Sequence, residues 1–274
     1  MTRGICQASC AFCAQSTGEE SCMLSRIRWN IWDFEDIVDL LHDQNRVCIQ
    51  CLNYPEVFED LYEMVKRIKC PVSVSAQPFT IDEMRALSEH VDRLSISLDC
   101  FTKELFEKYK PFYNWDLHWV RMRKAVEIFG EGNVISHMIV GLGETEREAV
   151  VTLDELIRTG VRPSLFALTP LKGTALEGMP APDLGTYRRL QMARYLLLER
   201  CIDKEDIRYD EDDMISSFGI DVSKTVDPEA FMTQGCPNCN RPFFNEKPGR
   251  TPYNFPCDIS ESEYMAIIKH ANVD

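Results

Sequence analysis

Residues 6–13, CQASCAFC, set Cys6, Cys10 and Cys13 at the spacing C-x3-C-x2-C. Three cysteines this close can fold back in one tight loop and turn their thiolates toward one inorganic centre. Thiolate ligation of this kind suits an iron–sulfur cluster or zinc. Random placement of 12 cysteines in 274 residues yields roughly 0.02 instances of the triple, but about half an instance of any C-x2-C pair. The triple is therefore a strong signal and a lone pair a weak one. Cys22 lies too far along the chain to serve readily as a fourth ligand. An iron left without a protein ligand can bind something else, and that open position is the functional clue. Phe12 either shields the centre from water or packs into the core as a loop aromatic.

Length and composition set the frame. A chain of 274 residues can bury about three-quarters of its unfolded surface, enough for one large domain or two small ones. No apolar run approaches the ~20 residues that span a bilayer, and no signal peptide precedes the cysteine loop. A cytoplasmic location is expected, and in that setting 12 cysteines point to metal rather than disulfides. A net charge of −14 argues against nucleic acid or an anionic membrane as a partner.

The chain then alternates between helical and strand patterns. Helices are expected at 33–43, 55–69, 102–110, 116–129 and 184–200, with others opening at Thr80 and Thr145. Thr80 with Glu83, and Thr145 with Glu148, have capping-box spacing. Gly160 suits the end of the second of these. Strands are expected at 46–51, 71–76, 93–100, 133–140 and 164–170, with a short last one at 207–209. Cys48 and Cys51 lie three apart on a strand, so they face opposite sides and read as buried structural thiols. Ser73 and Ser75 share a face, either the interior of a barrel or simply a polar side. Ser95, Ser97 and Asp99 share another, and Asp99 stands where barrel chemistry is placed, at a strand's C-terminal end. His137 lies within a strand and reads as a packed core residue. Gly141, Gly143 and Glu144 follow that strand, where glycines let backbone approach a ligand closely.

These residues resemble the radical S-adenosylmethionine (radical SAM) enzymes. The C-x3-C-x2-C loop with an aromatic before its last cysteine carries the resemblance. CAFCAQS, residues 10–16, is similar to the biotin and lipoyl synthase branch. The resemblance implies a partial (β/α)6 TIM-like barrel over 1–214. It implies a 4Fe–4S cluster on Cys6, Cys10 and Cys13 whose open iron holds S-adenosylmethionine, and reductive cleavage to a 5′-deoxyadenosyl radical. A structural zinc knot or a closed electron-transfer cluster is the alternative. Only residues 1–5 precede the loop, where the family has a strand: that strand is very short, a partner covers the gap, or the start lies upstream.

The resemblance also carries over site residues. Gln50 opens the stretch QCLNYPE (50–56), which corresponds to the loop contacting the methionine amino group but lacks its usual paired glycines. Ser97 and Asp99 match a polar strand end that would meet ribose. Gly141, Gly143 and Glu144 (GLGE, 141–144) resemble the family's G-x-I-x-G-x-x-E element at the adenine end. They depart from it in having Ser136 and His137 where an early glycine often sits. TPLKGTAL (169–176) is similar to P-x-K-G-T-x-L of biotin synthase relatives, with Lys172 and Thr174 at the open end of the barrel and Leu168 backbone near adenine.

The irregular tail, 215–274, contains Cys236, Cys239 and Cys257. It looks like the C-terminal region of two-protein lipoyl synthases, where it would bind an auxiliary iron–sulfur cluster. Zinc or free thiols are the alternatives, and Ser260, Arg250, Cys201 or a partner's group would supply a fourth ligand. In that reading the first cluster makes the radical and the second surrenders sulfide. The chain would be one component of a lipoyl synthase, adding sulfur at C6 or C8 of an octanoyl chain. Its partners would be an octanoylated carrier protein or octanoyl-lysine peptide, a sister component, and a reductant such as ferredoxin or flavodoxin. Biotin synthase-like chemistry, with a 2Fe–2S donor and an inward-facing arginine, and a non-enzymatic metal module are the rivals.

Overall fold

The computed structural model describes residues 1–2, 4–17, 23–24, 27–237, 239–271 and 273. Cys22 lies outside them. A small antiparallel hairpin, β1 (Met23–Leu24) with β2 (Ile27–Arg28), follows the cysteine loop. Then come α1 (Phe34–Leu41), β3 (Val47–Gln50), α2 (Val57–Val65), β4 (Val72–Ala76), α3 (Ile81–Ser88) and β5 (Arg93–Ile96). Next are α4 (Lys103–Tyr109), α5 (Trp115–Phe129), β6 (Val134–Val140), α6 (Glu146–Arg158), β7 (Val161–Ala167) and α7 (Leu184–Leu198).

Strands β3 to β7 form one parallel sheet in sequence order. Sequential parallel strands need crossovers, and the intervening helices supply them. The outcome is a mixed α/β fold of the partial-barrel kind, with extra helices at the C-terminus. Thr2 and Gln7, on either side of Cys6, bond to the C-terminal end of β3 and the segment just after it. Thr2 N–H donates to Gln50 O at 3.0 Å and Gln7 N–H to Asn53 O at 2.7 Å. That contact occupies the edge where the family resemblance places a first strand.

Alternation along the strands divides the two faces. Val72, Val74, Leu94, Ile96, Leu98, Val134, Met138 and Val140 are buried toward the helices. They join Leu61, Met84, Met122, Leu153 and Leu190 in one continuous core. Each such side chain contributes about 1.5–3 kcal/mol when fully buried. The opposite parity, which includes Cys48, Gln50, Ser75, Ser97, His137 and Phe166, turns to the lumen.

Both expected capping boxes form, at Thr80 with Glu83 and Thr145 with Glu148. Gly160, at φ +80°, ends the turn after α6. The expected last barrel strand differs: β8 (Arg208–Tyr209) pairs antiparallel with β9 (Ile215–Ser217) in a separate two-stranded sheet.

The tail is more regular than its composition implies. It contains α8 (Val222–Thr225), α9 (Pro242–Asn245) and α10 (Glu261–Ala271). Ser260, one of the fourth-ligand candidates, is the cap of α10. Its hydroxyl and N–H both donate to Glu263, and Glu263 N–H donates back to it. The tail is held by an unusually polar buried face of α7. There Arg188 donates to the Pro252 and Tyr253 carbonyls and Gln191 to Tyr253 O and Asn254 Oδ1. Phe231, Phe255 and Tyr264 complete the attachment by entering the common core.

Candidate functional site

Two cavities occupy the lumen. One, of about 310 Å³, opens at the C-terminal ends of the strands. Cys6, Cys10, Cys13 and Phe12 line it, with Gln50, Ser97, Asp99 and Leu168. The cysteine loop is anchored by backbone contacts to the barrel. Ala11 N–H donates to Tyr109 O at 2.8 Å, and Asn53 N–H donates to Cys6 Sγ at 3.4 Å. Within the loop, Cys13 N–H bonds Cys10 O, and Ser16 N–H and hydroxyl both bond Cys13 O. All three cysteines are half-buried. Burial pushes the Cys10 thiol up to about 12 and raises Cys13 as well. Metal binding must therefore expel protons from the pair.

Asp99 stands across this cavity, in a left-handed conformation at φ +63°. Such backbone costs about 1–3 kcal/mol and persists only where its surroundings impose it. Here Asp99 N–H donates to His137 O at 2.9 Å and Ile139 N–H donates to Asp99 O at 2.8 Å. Lys110 completes the hold, its Nζ 2.8 Å from Asp99 Oδ2 and 2.6 Å from Ser97 O. The ammonium group also lies over the rings of Phe106 and Tyr113. The Lys110 side chain is only 4% exposed, so this is a buried ion pair at the rim of the site. Nothing in the local sequence pattern around Lys110 marks it as Asp99's partner.

The glycine loop after β6 has a different geometry. Gly141 and Gly143 take φ +103° and +118°, and the Glu144 carboxylate accepts from the N–H groups of Gly141 and Leu142. Burial raises the Glu144 carboxyl, against the pull of those N–H donors. These three residues do not line the cavity; Glu144 fixes the loop beside it. Leu168 does line it, with its N–H committed to Val140 O at 2.9 Å.

The second cavity, of about 640 Å³, lies toward the N-terminal ends of the strands. Cys48, Cys236 and Cys239 line it. Cys48 is not the buried structural thiol expected from its strand: its parity faces the lumen, where it opens onto the cavity. The walls around it still push its thiol up to about 11, and the neighbouring Cys236 adds to this. Cys51, just past the end of β3, lines the other cavity, so the C-x2-C pair is divided between the two ends of the lumen rather than between the two faces of the sheet. Cys257 is exposed and lines neither cavity. Cys201 is exposed near the end of α7, and Arg250 lines a separate groove.

Gln50, His137, Phe166 and Arg241 line both cavities and form the layer between them. His137 is thus a lumen residue rather than a member of the outer core. One ring nitrogen lies 3.1 Å from Ser97 Oγ, and the ring meets Phe166 edge-on at 5.0 Å. Arg241, delivered by the tail, lies over Phe166 at 5.3 Å, and burial lowers its guanidinium from the usual range.

The profile of the radical SAM superfamily matches residues 2–156, more than half of the chain. The chain belongs to the radical SAM superfamily. Two solved structures of similar fold are HydG, a maturase of the FeFe-hydrogenase, and methylornithine synthase (PylB). HydG has a TM-score of 0.58 and 14% identity over 72% of this chain and 48% of its own. For PylB the values are 0.56 and 17%, over 72% of this chain and 60% of its own. The chain spans less than two-thirds of either protein, and at these identities the likeness is one of fold. No curated protein matches the sequence.

Radical SAM membership implies S-adenosylmethionine and an iron–sulfur cluster as cofactors. The residues present fit them: three thiols rim a cavity that also offers a carboxylate, a hydroxyl and an amide. Among the described residues, no three Cys, His, Asp or Glu side chains stand close enough to hold one metal ion. No helix is long and apolar enough to cross a membrane.

Proposed function

We propose that this radical SAM protein inserts sulfur at an unactivated carbon. On the resemblance of its sequence, it is one component of a two-protein lipoyl synthase acting at C6 or C8 of a protein-bound octanoyl chain. The reading is carried by one observation: the lumen has cysteines at both ends, with Cys6, Cys10 and Cys13 at one and the tail's Cys236 and Cys239 at the other. A carbon held in the layer between them would lie between a radical source and a sulfur source.

What the bound cofactors supply is reductive cleavage of S-adenosylmethionine to a 5′-deoxyadenosyl radical. The chain positions them. Cys6, Cys10 and Cys13 hold the cluster, and Phe12 restricts water at its edge. Asp99, fixed by Lys110, accepts hydrogen bonds from ribose hydroxyls, with Ser97 beside it. Gln50 reaches the methionine end. Leu168 backbone would meet adenine, and Gly141, packed against Leu168, backs that wall from outside the cavity. Phe166 and Ile139 give the reacting carbon a dry wall, which limits quenching of the radical. An octanoylated carrier protein or octanoyl-lysine peptide would be the substrate. A sister component and a ferredoxin or flavodoxin would be the partners.

A biotin synthase-like reaction is a second reading, favoured by Arg241, which enters the lumen beside the second cysteine set. The test is mass spectrometry of octanoyl-lysine peptide and of dethiobiotin, each incubated anaerobically with protein, S-adenosylmethionine and reductant, with and without a sister protein. Thiolated octanoyl peptide is the expected product. Thiolated dethiobiotin would support the second reading, and consumption of S-adenosylmethionine without sulfur in either substrate would refute both.

A further inference from the structure

We infer that Cys48, Cys236 and Cys239 form a second iron–sulfur site at the N-terminal end of the barrel lumen, with Cys257 outside it. The inference deepens the sulfur-insertion reading, and it rests on that reading for the identity of the bound group.

The placement is built from both ends of the chain. Cys48 is set by β3, whose lumen parity it shares with Gln50. The tail is fastened under the barrel strand by strand. Ser164 Oγ on β7 donates to Gln234 O at 2.6 Å, and Arg93 Nη1 on β5 donates to Gly235 O at 2.7 Å. Ser73 Oγ on β4 lies 3.1 Å from Cys236 Sγ. Gly235 itself takes φ +113°, and a Cβ there would come within 3.4 Å of Ser164 Oγ. Backbone so tightly seated places the C-x2-C pair inside the lumen rather than on the surface.

The surroundings fit a sulfur-ligated cluster. Gln50 Nε2 donates to Cys48 Sγ at 3.1 Å. Behind Cys236, Arg46 Nη1 donates to Ser73 Oγ at 2.8 Å while pairing with Asp92 at 2.7 Å. Partners of this kind orient ligands and place positive charge beside an anionic centre. The donors are soft thiols alone, which select iron–sulfur clusters, zinc or cuprous copper. Among these, the sulfur-insertion reading selects the cluster. Cys257 lines no part of this cavity, so the tail's third cysteine is replaced by one from β3.

The test begins with the variant carrying Cys6→Ala, Cys10→Ala and Cys13→Ala, reconstituted anaerobically with iron and sulfide. It should retain a cluster, read as bound iron, acid-labile sulfide and a Mössbauer signal. Adding Cys48→Ala, or the gentler Cys48→Ser, should abolish that signal, while adding Cys257→Ala should leave it intact. Circular dichroism confirms that each variant is folded. Retention of the cluster without Cys48, its loss without Cys257, or zinc in its place would overturn the inference. The sulfur-insertion reading fails separately, when wild-type protein carrying both clusters yields no thiolated product.

Discussion

Lys110→Met removes one half of the buried ion pair at the rim of the candidate site. Lys110 Nζ and Asp99 Oδ2 are 2.8 Å apart, with side chains 4% and 15% exposed. At that distance two unit charges attract by about 6 kcal/mol for an effective dielectric constant near 20. Desolvating both groups offsets much of this. The cost of deleting one partner is set instead by the charge left behind, about 3–5 kcal/mol for a buried pair. Methionine preserves the apolar stem against Phe106 and Tyr113, which isolates the electrostatic loss. Equilibrium urea unfolding of the metal-free protein, followed by circular dichroism, measures it. Adding Asp99→Asn should recover part of the loss, because no uncompensated carboxylate then remains. The reasoning fails if Lys110→Met lies within the ~0.5 kcal/mol typical of surface substitutions, or if the two substitutions simply add.

Three further outcomes are expected. Gly141→Ala places a Cβ 3.1 Å from Pro182 Cβ at φ +103°, and should destabilise by about 1–3 kcal/mol; an unchanged Tm would contradict this. Burial pushes the His118 imidazole down to about 3, with the Lys110 charge adding to the effect, and pushes His137 down to about 4. The unfolded chain, titrating near ~6.5, takes up these protons first. Stability is therefore full above about pH 6.5 and is lost on acidification at about 1.4 kcal/mol per pH unit for each histidine. His118→Phe should give a shallower loss than wild type as pH falls from about 6.5 toward 4, measured by urea midpoints across that range; equal slopes would refute the role of burial. Removing the α6 capping box with Thr145→Ala should cost about 1 kcal/mol, read as a lower urea midpoint.

Much of this architecture was legible because its signals are local. The Thr80 and Thr145 capping boxes are contained within single helix turns, as is the stop at Gly160. The spacing of Cys6, Cys10 and Cys13 is likewise complete within one loop. The lumen was harder to read. In β6 the polar residues Ser136 and His137 are neighbours and so fall on opposite faces; the parity of His137 was visible but not its direction. Cys48 looked structural because the cavity it lines is closed by Cys236 and Cys239, which only the folded tail brings near. The pairing of Arg208–Tyr209 with Ile215–Ser217 likewise depends on a partner after the strand, not on the strand itself. Helix α10 did leave a local mark, the S-x-x-E spacing of Ser260 and Glu263, obscured by the Pro- and Gly-rich stretch before it.

The central claim is that Cys6, Cys10 and Cys13 hold a cluster with one iron open to S-adenosylmethionine. The most direct measurement is 5′-deoxyadenosine formation by anaerobically reconstituted, reduced protein, compared with the triple alanine variant. The account predicts 5′-deoxyadenosine from the wild-type protein and none from the variant. Equal amounts from both, or none from wild-type protein shown to contain the cluster, would contradict it.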